Sequence, residues 1–173
     1  MIYIFLIVCL CVYAFTGDCT WMGVSVEHMN HAYIYQFAHA SWLHLIINAL
    51  SLLLMYKPIK RIYEERFGNA RSWEFLAILY LGSVLAGLLT PKELPTVGAS
   101  GMVFFLLGEL IMLRPTLKQL QGYIYVALAV IIQIIRGHSN VALHIVAFIL
   151  GALWIIIRLL CKQHSERFEG MDQ

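Results

Sequence analysis

The chain has 173 residues, of which 61% are hydrophobic and only 13% charged, with a formal net charge of +2 at neutral pH. That composition excludes an ordinary soluble core and points to one helical membrane domain covering residues 1–173. The small positive excess is confined to short loops and does not suggest nucleic acid as a partner.

Six apolar runs follow one another. The first, Ile2 to Phe15, lacks a basic segment before it and an obvious small-residue cleavage site, so it reads as a retained span rather than a signal peptide. Cys9 and Cys11 lie in it, Cys19 just outside it and Cys161 at the opposite face. No pair of them resembles a zinc site or a disulfide framework, and they read as small apolar residues. The second run, Phe37 to Met55, carries His39, His44 and Asn48; the third is Trp73 to Leu89. The fourth, Val97 to Leu113, opens with Ser100 inside Gly98-Ala99-Ser100-Gly101. The fifth, Tyr123 to Ile135, is short and followed by Arg136-Gly137-His138-Ser139-Asn140, a gate and covering loop by this reading. The sixth, Val141 to Leu160, carries His144 near its start. Several runs fall short of the ~20 residues that cross a bilayer upright, so some helices should begin below the surface.

Basic residues orient the bundle. Lys57, Lys60, Arg61, Arg66 and Arg71 follow the second run, Arg114 and Lys118 the fourth, and Arg158, Lys162 and Arg167 end the sixth, whereas only Lys92 and Arg136 fall in the alternate loops. Ten of twelve positive charges therefore lie on one side, which is cytoplasmic by the positive-inside rule. Six spans with both termini in the cytoplasm satisfy that count, as expected of a multi-pass protein of the plasma (inner) membrane.

In this orientation runs two, four and six all pass from outside to inside, so their first turns share a depth. The interior polar residues cluster there: His39, His44 and Asn48, then Ser100, then His144. Polar groups at membrane depth face the protein interior or a wet cavity and mark function. A lone transmembrane serine is usually structural. Ser100, however, follows the break at Pro95-Thr96-Val97-Gly98 and so sits at a helix start, where unpaired backbone N–H groups and the helix dipole favour a developing negative charge. An oxyanion hole for acyl transfer needs such a setting. Ala147 and Gly151 lie on roughly the same side as His144 and would let that helix approach another closely; if the other is run four, His144 reaches Ser100. His44 and Asn48, spaced i,i+4, share a face and could donate to a tetrahedral oxyanion, or could simply fasten helices together. His39 points elsewhere and reads as a tie for the outer loop. Glu109 lies nine residues past Ser100, about 13 Å along a helix, and reads as a residue near the cytoplasmic interface. With Asp18, Glu27 and Glu93 in outer loops, a Ser-His dyad is the natural assignment.

Taken together, His39-Ala40-Ser41-Trp42-Leu43-His44 with Asn48, Glu64-Glu65-Arg66-Phe67-Gly68, Gly98-Ala99-Ser100-Gly101 with Gly108, and His144 with Gly151 resemble the rhomboid intramembrane serine proteases, in the family's order and over nearly the whole chain. The resemblance implies an all-α membrane protein, a six-transmembrane-helix rhomboid-like bundle, with Ser100 as nucleophile and His144 as general base. It also implies that His44, Asn48 and the Ser100 backbone N–H hold the oxyanion, that single-pass transmembrane proteins are the substrates within membrane lipid, and that no cofactor is needed. Three positions depart from the family pattern. Phe104 stands where a tyrosine usually stacks on the imidazole, Ala147 where glycine is common, and the outer loop from Thr16 to Asn30 is short and lacks a Trp-Arg pair.

Two readings of other classes compete. A non-catalytic rhomboid-like protein would bind membrane helices without cutting them, but such relatives typically lack the serine or the histidine, and both are present. A b-type haem protein would use His39, His44 or His144 as axial ligands, and an absorption spectrum without a Soret band would dismiss it. A metalloprotease is disfavoured by the absence of His-Glu-x-x-His.

Overall fold

The computed structural model describes residues 1–113 and 140–169, and among these it is all-helical. The helices are α1 (Ile2–Thr16), α2 (Trp42–Phe67), α3 (Ser72–Leu89), α4 (Ser100–Leu113) and α5 (Val141–Glu169), with 3-10 turns at Thr20–Met22 and Met29–Tyr33 in the loop after α1. The span expected over Tyr123 to Ile135, and the loop expected to cover the site as far as Ser139, lie outside the described residues. α2, α3 and α5 are long and apolar enough to cross a membrane; α1 and α4 are shorter.

Capping and charge pairing, which hydropathy does not register, move three boundaries. The second apolar run begins at Phe37, but α2 begins at Trp42 because the Ser41 hydroxyl caps it, accepting from His44 N at 3.2 Å. His39 therefore lies in the preceding loop and not in the helix. At the other end α2 continues past Met55 through Pro58 to Phe67, carried by the i,i+4 pairs Lys60–Glu64 and Arg61–Glu65. α5 likewise continues past Leu160 to Glu169, with Lys162 facing Glu166.

The buried residues of α2 recur as Leu45, Asn48, Leu52, Met55 and Ile59, a stripe at the helical period that faces the bundle. α5 presents an opposite kind of stripe, with Ile145, Ile149, Leu153 and Ile157 exposed, an apolar face that is costly to leave in water. The most extensive helix contact is between α4 and α5. Two glycines make it possible: a Cβ on Gly108 would collide with the Phe148 backbone, and one on Gly151 with the Phe105 backbone.

Candidate active site

The first turns of α2, α4 and α5 meet at one end of the bundle. Ser100 opens α4, with the amides of Met102 and Val103 bonded back to Ala99 O at 3.0 and 3.3 Å. The earlier amides of such a turn have no intrahelical acceptor, so they point their partial positive charge at whatever lies before the helix. His144 stands one turn into α5, and its Nε2 lies 2.9 Å from Ser100 Oγ. Both side chains are buried, 5% and 4% exposed, which shields the pair from competing water. Phe104, one turn after Ser100, stacks on the His144 ring at 4.2 Å between centroids and 11° between planes. The phenyl ring thus supplies the stacking face for which the family usually uses tyrosine.

Just ahead of Ser100 the chain adopts φ +110° at Gly98, a region that L side chains rarely enter. The side chain that Gly98 lacks would also have no room. Its Cβ would stand 2.7 Å from His44 Cε1 and Nε2 and 3.1 Å from Asn48 Nδ2. The close approach brings both side chains of α2 against the strained turn that leads into Ser100. Asn48 is 3% exposed, and its Nδ2 has no hydrogen-bond acceptor, so it is a buried donor with capacity to spare.

Several supporting residues carry no sequence signature that would have marked them. The loop between α1 and α2 braces the turn through its backbone: Val24 and Thr96 exchange two main-chain hydrogen bonds at 3.0 and 2.9 Å, Val26 N donates to Lys92 O, and Gly98 N donates to Tyr35 O at 2.9 Å. Tyr35 is held in turn by its hydroxyl, which lies 2.8 Å from Ser83 O and 2.7 Å from Ser83 Oγ on α3. Main-chain bonds from Val24, Val26 and Tyr35 thus secure the segment from Lys92 to Gly98. Asn140, the residue before α5, is buried. Its Oδ1 accepts from Leu143 N at 3.2 Å and caps α5, while its Nδ2 donates to Thr90 O at 3.0 Å and Thr96 Oγ1 at 3.1 Å. One amide therefore ties the start of the His144 helix to the segment that precedes Ser100. An asparagine immediately before an apolar periodic run was the available signal.

His39 does tie down the outer loop: its backbone O accepts from Cys19 N at 3.2 Å, and its ring meets His44 edge-on at 5.2 Å. Glu109, expected near the cytoplasmic interface, faces the protein interior, fully buried at 0% exposure. It shares a face of α4 with the buried Phe105, four residues earlier.

Comparison with known proteins agrees with the sequence resemblance. A family model described as the rhomboid domain matches residues 26–161. A Bacillus subtilis (strain 168) protein named "Putative rhomboid protease YdcA" is 29% identical over 141 residues, 75% of this chain. The match takes in 65% of that relative, so the chain spans less than two thirds of the relative's length. No solved structure matches the chain.

Proposed function

The chain belongs to the rhomboid family, and from that premise we propose that it is an intramembrane serine endopeptidase cutting single-pass transmembrane proteins near the outer membrane face through a Ser100–His144 dyad. The observation that carries this reading is the 2.9 Å approach of His144 Nε2 to Ser100 Oγ at a buried helix start. In this role His144 accepts the hydroxyl proton as Ser100 Oγ attacks the scissile carbonyl, and then delivers it to the leaving amine. A water deprotonated by His144 releases the acyl group and restores the serine. The negative charge on the tetrahedral oxygen falls to the Ser100 backbone N–H, the free Asn48 Nδ2 and the His44 ring. The test is labelling with a fluorophosphonate probe beside cleavage of a transmembrane reporter, with and without Ser100.

The oxyanion assignment makes a separate prediction. Removing one such donor typically costs ~10²–10³ in rate, less where a neighbouring donor or water compensates. His44→Ala should lose turnover and Asn48→Ala should lose less, with probe labelling slowed in both. Wild-type rates in both variants would mean that the α2 pair only fastens helices together.

Depth dictates what a substrate must do. A peptide bond within a membrane helix is shielded by its own hydrogen bonds, and exposing those groups to lipid costs several kcal/mol each. The scissile segment must therefore unwind to lie against Ser100. Substrates with Gly, Pro or small residues in the outer part of their helix should be cut there, and Leu replacements should slow cleavage. The segment expected to admit them is Tyr123 to Ile135. Cut sites mapped by mass spectrometry to the cytoplasmic end of the substrate helix would overturn both the orientation and the mechanism.

A further inference from the structure

The three helices that converge at the candidate site converge again at their other ends. α2 carries His44 and Asn48 above and Tyr63 below, α4 carries Ser100 above and Glu109 below, and α5 carries His144 above and Arg158 below. Glu109 has no exposed surface, and neither of its carboxyl oxygens has a hydrogen-bond partner. Arg158 and Trp154, both on α5, are in hydrogen-bonding contact with the Tyr63 side chain, which also lies within electrostatic reach of Glu109. The Arg158 guanidinium also stands 5.8 Å over the Tyr63 ring and 5.5 Å over the Phe67 ring, which fixes it against α2. An unpartnered carboxyl group and a hydrogen-bonding Tyr63, Arg158 and Trp154 set therefore share one three-helix junction, with Tyr63 as the link between them. A surface groove of about 390 Å³, lined by Arg66, Met112, Leu159 and Lys162 among others, lies about one turn beyond these residues.

We propose that Glu109 and Arg158, with Tyr63 and Trp154, form a water-bridged polar lock across α2, α4 and α5 that positions Ser100 against His144. The proposal rests on the reading of those two residues as a catalytic pair. Its mechanical basis is the glycine contact between α4 and α5. Gly108 and Gly151 bring the helix backbones together between the dyad above and the lock below, so a change in crossing at one end is felt at the other. An unpaired carboxylate and guanidinium would otherwise be costly in a membrane interior, whereas a bridged pair is tolerated. Glu109 and Arg158 are positioning residues in this account and touch no reacting atom.

The test uses the full chain in lipid vesicles, comparing wild type with Glu109→Gln, Arg158→Met and the double variant. Three quantities are read: the rate of fluorophosphonate labelling, kcat against KM on a transmembrane reporter, and thermal unfolding. Each single change should lower labelling and kcat by on the order of tenfold to a hundredfold with KM little altered, because misplacement of reacting groups is felt mainly in the chemical step. The double variant should be no worse than the more severe single. Wild-type labelling by folded Glu109→Gln, or losses that multiply in the double, would overturn the lock. If Glu109→Gln does not fold, Arg158→Lys serves instead, since it keeps the charge but loses Nε and the planar fork. It should melt near wild type yet label slowly, and wild-type labelling would count against the proposal. Absence of labelling in the wild type would be a failure of the protease reading instead. The unfolding cycle then still decides whether Glu109 and Arg158 are coupled, and additive losses there would sink the lock.

Discussion

Ser100→Ala is expected to yield a folded protein that neither cuts a transmembrane reporter nor takes up a fluorophosphonate. The fold should survive because the change removes one oxygen atom and one hydrogen bond, that to His144, a loss of about 1 kcal/mol, and because alanine is well suited to a helix start already fixed by the Ala99 and Gly98 backbone. Activity should fall by at least about 10⁴-fold, the scale seen when a nucleophile is deleted from a group of residues acting as a unit. Residual turnover would then come only from substrate positioning and the oxyanion donors acting on water. Cleavage and labelling that persist in Ser100→Ala would remove Ser100 from the chemistry and with it the assignment of the reaction.

What the sequence revealed of this site is what side chains alone can reveal. Ser100, His144, His44 and Asn48 were legible because each is a polar residue in an apolar run, and because the alternation of basic loops places their helix starts at one end. The boundaries of α3, Ser72–Leu89, match the apolar run from Trp73 because charged and apolar segments change sharply there. α2 was misjudged at both ends, since its start is set by the hydrogen bond from His44 N to Ser41 and its end by charge pairs rather than by hydropathy. The brace from Val24 and Tyr35 to Thr96 and Gly98 is made of main-chain bonds, and no residue type announces those. The complete burial of Glu109 was not legible for a related reason: a charged residue late in an apolar run shows its depth, whereas its burial is set by helix packing that no residue type announces.

His144→Ala should abolish activity nearly as fully as the serine change, because a base and its nucleophile act together and losing either removes the same step. The two variants differ in what else they cost. Deleting the imidazole empties a site 4% exposed and leaves Phe104 without its stacking partner, so His144→Ala should also melt at a lower temperature than Ser100→Ala. His144→Asn, which retains more bulk, should recover part of that stability and none of the turnover, separating packing from proton transfer. The carboxylates of the outer loop supply the contrasting control. Asp18 is engaged locally, its Oδ1 accepting from Thr20 N at 2.9 Å, and Glu27 is exposed. Asp18→Asn and Glu27→Gln should therefore leave cleavage nearly unchanged when both are assayed beside His144→Ala with the same reporter. If either cost as much activity as losing His144, the base would depend on a carboxylate, and the dyad would have to be replaced by a triad.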